Sequence, residues 1–186
     1  MLNRVSEGNI DPMFQKLQEI FNKAMNKDKK MRHAYYEAYA RNYIVLAISQ
    51  QQQMNQLLSV NCVFVAALHR LCGAPFFAKV LQRMMSAFEE NHTKMVSELD
   101  EDGKEVAVMR VKNIMNCLVH LFLFQSIGSD LLFDVIKFML ASFTESDIEV
   151  LIFVLHNIGL QLRKKDPVSI KAILDLFAQK RNSFQA

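Results

Sequence analysis

The chain has 186 residues, of which 51% are hydrophobic and 22% charged, with a formal net charge of +3. Such a length makes one domain or a piece of one and buries about two-thirds of the unfolded chain's surface, so a core needs neither a disulfide nor a metal. Five glycines and three prolines are too few for an all-β fold with a turn about every ten residues, and the apolar content excludes a disordered or collagen-like chain.

In chain order, a helical stub is predicted at residues 1–6. Asp11-Pro12 then pairs an N-cap carboxylate with a proline at the first helical position, where a missing N–H costs nothing. It opens a helix over 10–26, along which Phe14, Leu17, Phe21, Ala24 and Met25 make one stripe of 3.6-residue period. The next helix, 30–49, carries Tyr35, Tyr39, Tyr43 and Ala47 at intervals of four, and the following Gln50-Gln51-Gln52-Gln53 tract reads as a fraying helix end. Helices over 55–72 and 75–95 flank Gly73-Ala74-Pro75, a stop and then a start. Residues 97–105 are acidic and read as a surface loop before a helix over 105–125.

Three more helices follow, at 129–142, 145–164 and 166–181. Phe133, Ile136 and Leu140 mark the inner face of the first; Ile148, Leu151, Ile152 and Leu155 mark that of the second. Thr144 and Asp147 have capping-box spacing, with Asp where Glu or Gln is usual, and Asp166-Pro167 repeats the cap-and-proline pair. Gly159 interrupts a helical pattern. Such a glycine costs ~1 kcal/mol relative to Ala, which predicts a second helix in close approach.

Short connections make consecutive helices antiparallel hairpins. The segments 60–71, 114–124 and 151–160 look apolar on more than one face, as in helices sandwiched between neighbours. Helix starts recur about every twenty residues and hairpins about every forty, the period of HEAT-type solenoids. The fold class is therefore all-α, an α-solenoid of antiparallel HEAT-like hairpins, with a globular bundle as the alternative.

The chemistry-bearing residues are sparse. Cys62, Cys72 and Cys117 are odd in number and far apart, which suits a reducing compartment. No apolar run reaches ~18 residues and no signal peptide opens the chain, so neither secretion nor membrane spanning is expected. Phosphate-loop, dinucleotide, nucleophile-elbow and zinc-protease motifs are all missing from the sequence. His69 with Cys72, and Cys117 with His120, form two i, i+3 couples that could complete a tetrahedral zinc set. Their aliphatic surroundings favour core thiols and hydrogen-bonded histidines, and no metal or cofactor is expected. His156 reads as packed and His92 as exposed. Lys23, Lys27, Lys29, Lys30 and Arg32 form one basic cluster and Arg163, Lys164 and Lys165 another. Each is either a solvated helix end or a contact to phosphates or an acidic surface.

Three stretches together resemble a known family. Leu2-Asn3-Arg4-Val5-Ser6, followed by a helix with Phe14 and Leu17, is similar to the opening of the middle domain of eukaryotic initiation factor 4G. Asn113-Ile114 through Leu118-Val119-His120-Leu121-Phe122 resembles its central helix, and Leu155-His156-Asn157-Ile158-Gly159-Leu160-Gln161-Leu162-Arg163 its L-x-x-I-G-x-x-L signature. Residues 143–149 and 162–171 look most like the nucleolar branch of that family.

The resemblance implies a right-handed crescent of five hairpins and ten helices, of which this chain, as a single domain over 1–186, would hold four to five repeats truncated at both ends. It implies a fragment or short relative whose last helix, 166–181, has one uncovered face. It also implies a non-catalytic scaffold, a monomer, that clamps the two RecA-like lobes of a DEAD-box ATPase of the initiation-factor-4A type and speeds its cycle. The nucleolar branch implies a place in small-subunit ribosomal RNA processing, in the nucleus and nucleolus. Asn3 and Arg4 stand where the family's pair meets the helicase C-terminal lobe, with Ser6, Glu7 and Asn9 flanking that edge. Arg163, Lys164 and Lys165 are placed by their position alone toward the other lobe. The alternatives are a direct RNA-binding module acting on RNA or a pre-ribosomal particle, and the middle domain of a splicing or translation factor of the same family. Near-neutral charge and the lack of interleaved basic and aromatic residues argue against strong autonomous RNA binding.

Overall fold

A computed structural model describes residues 7–26, 28–49, 55–97 and 100–184. Among the described residues a 3-10 turn, Glu7–Asn9, leads into eight α-helices, with no strand. They are α1 (Ile10–Met25), α2 (Lys29–Ser49), α3 (Asn55–Cys72), α4 (Ala74–Ser97), α5 (Glu101–Leu123), α6 (Ser129–Ser142), α7 (Glu145–Lys165) and α8 (Pro167–Phe184). The all-α class is as the periodicity predicts. The expected stub at 1–6 and the Gln50–Gln53 tract lie outside the described residues. The chain divides into two compact units, Met1–Ser126 and Ile127–Ala186.

In the first unit α5 is the central helix, packed against α2, α3 and α4. Asn113 through Val119 are buried without a break, followed by Leu121 and Phe122. Among the described helices α5 is long and apolar enough to cross a bilayer, but those apolar residues are spent on the core contacts of a globular unit. Phe21 of α1 meets Tyr39 and Phe76 edge-on, each at 5.5 Å between ring centroids, and stacks on Tyr36. The aromatic stripe of α2 thus begins at Tyr36, while Tyr35 faces outward, because 36, 39, 43 and 47 follow the helical period more closely than strict fours. An Arg83–Glu37 ion pair ties α4 to α2 at the surface.

Three expectations change here. Most of the acidic 97–105 stretch is helix rather than loop: α4 runs to Ser97, and Asp100 caps α5 by accepting from the Gly103 N–H at 3.1 Å. Glu101 and Asp102 then sit in the first turn, where negative charge is favoured by the helix dipole. Asp11 is not an N-cap, because the 3-10 turn runs straight into α1 at Ile10. Pro12 still falls in the first turn, among N–H positions that have no intrahelical partner. The two histidines exchange roles: His92 is buried, sharing its helix face with Phe88 at 5.7 Å and with Met95, whereas His156 is exposed.

In the second unit α6, α7 and α8 pack against one another. The capping box of α7 is complete. Asp147 accepts from the Thr144 N–H at 2.9 Å and the Ser142 hydroxyl at 2.8 Å, while its own N–H donates to Thr144 Oγ1 at 3.2 Å. Phe143 ends α6 at φ 49, in the left-handed region, held by its N–H on Met139 O and by an edge contact with Phe177 at 5.8 Å. The buried face of α7 is Val150, Leu151, Val154, Ile158 and Leu162, and Ile152 is 62% exposed. No helix crowds Gly159: a Cβ there would meet only Leu155 Cβ, at 4.0 Å.

Candidate partner-binding site

The best-defined cationic feature is the corner between α7 and α8. Arg163, Lys164 and Lys165 are exposed in the last turn of α7, where cations complement the unpaired carbonyls. One residue, Asp166, joins the helices. Its N–H donates to Leu162 O at 2.8 Å, closing α7, and its carboxylate accepts from the Ser169 N–H at 2.9 Å, opening α8. That backbone donor holds the Asp166 carboxyl below its usual range. A single residue capping both helices leaves the corner little freedom, so the three charges project from a fixed base.

Of the N-terminal edge, Asn3, Arg4 and Ser6 lie outside the described residues. Glu7 opens the 3-10 turn, and Asn9, half-buried, closes it against the start of α1. Of the first basic cluster, Lys23, Lys29 and Lys30 are exposed and Arg32 half-buried, while Lys27 is outside the described residues.

The cysteine–histidine couples do not converge. Cys62 packs on α5: its Sγ lies 3.1 Å from Tyr43 Oη and 3.8 Å from the Cys117 carbonyl oxygen. His69 stacks on Phe77 with centroids 4.0 Å apart, and His120 stacks on Phe124. Burial pushes the Cys62 thiol up, pushes Cys72 to about 11, and lowers both His69 and His120. A thiol raised in this way, as Cys72 is, stays protonated near neutrality and is a poor nucleophile or metal ligand, whereas Cys117 is lowered by its hydrogen bond with Cys62. Among the described residues no group of three or more His, Cys, Asp or Glu is placed to hold a metal.

One apolar surface extends the uncovered face expected of the 166–181 helix onto α7, which the sequence does not predict. Along α7 and α8, Ile152, Leu160, Val168 and Leu174 are between 53% and 77% exposed. The signal was present in the two-faced apolar pattern of 151–160. That pattern predicts a sandwiched helix, but Ile152 and Leu160 of α7 are exposed.

Comparison with known proteins places the chain in a family. The MIF4G domain family matches residues 1–183. Nucleolar MIF4G domain-containing protein 1 of Homo sapiens is 26% identical over 174 residues, covering 94% of this chain and 18% of its own length. Suppressor of glycerol defect protein 1 of Schizosaccharomyces pombe is 26% identical over 173 residues, covering 93% of this chain and 21% of its own. The Drosophila melanogaster homolog of the nucleolar protein is 23% identical over 176 residues, covering 94% and 19%. This chain therefore spans about a fifth of the length of those curated relatives, and no solved structure matches it significantly. With the matched span reaching from the first residue into the last turn of α8, the chain belongs to the MIF4G domain family.

Proposed function

We propose that this chain is a non-catalytic scaffold, a single middle domain that binds a DEAD-box ATPase of the initiation-factor-4A type and raises its turnover. The supporting observation is the extent of the family match, residues 1–183, together with relatives whose printed names carry the word nucleolar. A protein that touches both lobes of a two-lobed motor favours only the lobe orientations that its contacts fit. Turnover rises if the favoured orientation is the one that binds and releases nucleotide most readily. Asn3 and Arg4, flanked by Ser6, Glu7 and Asn9, meet one lobe, and Arg163, Lys164 and Lys165 meet the other. The nucleolar names support a place in the nucleus and nucleolus, in small-subunit ribosomal RNA processing, with the chain acting as a monomer.

The test is co-purification with such a helicase. Replacing Arg163, Lys164 and Lys165 together by Glu is expected to weaken association at least tenfold with helical content unchanged; full retention would remove this corner from the interface. A salt titration separates the second reading, direct RNA binding at the same corner. Phosphate contacts lose affinity steeply with added salt, whereas a packed protein interface does so less.

A further inference from the structure

Three helices of the first unit bring reactive side chains to one point in its core. Tyr43 of α2, Cys62 of α3 and Cys117 of α5 are all fully buried. Tyr43 Oη lies 3.1 Å from Cys62 Sγ, and Cys62 Sγ lies 3.8 Å from the Cys117 carbonyl oxygen. The two thiols also hydrogen-bond to each other, and the Tyr43 hydroxyl bonds to both sulfurs. Tyr39, one turn earlier on α2, stacks on Tyr43 at 6.4 Å, and its buried hydroxyl has no hydrogen-bond partner among the described residues. Four polar groups are thus gathered where Phe and Ala would fill the core with less desolvation. An unsatisfied hydroxyl buried beside a thiol pair is a feature that a redox role accounts for.

We propose that Cys62 and Cys117 form a redox latch, closing to a disulfide that fastens α3 to α5 when hydrogen peroxide reaches them. The geometry sets the order of events. The Cys117 sulfur accepts from the Cys62 thiol and from Tyr43, which holds its own thiol below the usual range, whereas burial pushes that of Cys62 up. Cys117 is therefore the sulfur that attacks. It bonds to one peroxide oxygen, the O–O bond breaks, and the thiol proton leaves with the other oxygen as water. The Cys62 sulfur then attacks the Cys117 sulfenic acid: the S–S bond forms, the S–O bond breaks, and the hydroxyl departs with the Cys62 proton as a second water. The two thiols lose two electrons and the peroxide gains them. Cys72 takes no part, because it lies ten residues further along α3, about 15 Å away, hydrogen-bonded with Tyr36.

Full burial makes the latch conditional. Peroxide meets the sulfurs only when α3 parts from α5, so closure records an opening of the core together with the oxidant. Once closed, the disulfide joins residues 55 apart in sequence and encloses the whole of α4. Such a crosslink restricts the opened conformations and, by stabilising the folded chain, resists reduction. The latch goes beyond the helicase-scaffold reading and does not depend on it, since none of its residues is assigned to the helicase.

The test uses the intact chain carrying Cys72→Ser, which leaves the pair alone. Hydrogen peroxide in sub-denaturing urea is expected to lower the mass by two hydrogens and to join the peptides that contain Cys62 and Cys117. Closure should run about fivefold faster or more than in the absence of urea, because opening is more frequent. The joined chain should melt about 5–10 °C above the reduced one, and lose that gain when unfolded in dithiothreitol and refolded. The proposal is overturned if peroxide leaves both thiols free, or carries them to sulfinic acid without joining them. It is also overturned if the joined chain melts no higher than the reduced one, if closure is as fast without urea, or if crosslinks form only between chains. These readouts use the native pair, so they hold even where Cys62→Ser or Cys117→Ser fails to fold.

Discussion

The first unit surrounds its central helix, whereas the second leaves a face of its middle helix open. In α5 the run from Asn113 to Val119 is buried residue after residue, with α2, α3 and α4 around it. In α7 burial keeps to one stripe, and Ile152 and Leu160, 62% and 74% exposed, lie off it. Both helices carry apolar residues on more than one face. The same sequence pattern is therefore compatible with a second face that neighbours cover and with one that they leave exposed.

The contrast has measurable consequences. Leu118→Ala, at a fully buried position of α5, is expected to cost about 3 kcal/mol, whereas Leu160→Ala should stay within about 0.5 kcal/mol of the parent. Equal losses in urea melts would mean that the second face of α7 is covered after all. Asp147→Ala removes the carboxylate that joins Thr144 and Ser142 at the start of α7, and is expected to cost about 1–2 kcal/mol. Asp147→Asn should recover part of that loss, because its amide oxygen can still accept. The smallest effect has the opposite sign. Gly159→Ala puts a methyl in ordinary contact with Leu155 Cβ in a helix interior and is expected to stabilise by up to ~1 kcal/mol, read as a raised melting temperature. A loss instead would reveal a neighbour pressed against α7.

Much of this molecule was legible in its sequence because its helices are punctuated by local chemistry. Gly73 at φ 75 ends α3, Thr144 with Asp147 starts α7, and Asp166-Pro167 starts α8, each within the reach of a few neighbouring residues. Misreadings came where an alternative local partner was possible. Asp100 captured the N-terminus of α5, turning an acidic stretch into a first helical turn. His92 and His156 exchanged roles because exposure depends on a rotation about the helix axis that composition does not report. The surroundings of the cysteines were set by packing too: i, i+3 spacing places Cys117 and His120 on one face of α5, and of α3 it is Cys62 that reaches the Cys117 carbonyl. Of the candidate site, the cationic corner was visible as a charge run, whereas the exposed second face of α7 was hidden because an open apolar face and a covered one have the same sequence.

The central claim is that this chain acts on a motor and has no chemistry of its own. The direct measurement is the steady-state ATPase rate of a DEAD-box helicase of the initiation-factor-4A type, with RNA, as this chain is added. A saturable rise of several-fold, weakened by Glu at Arg163, Lys164 and Lys165, is the expected result. An unchanged rate at full occupancy, or ATP hydrolysis by this chain without the helicase, would contradict it.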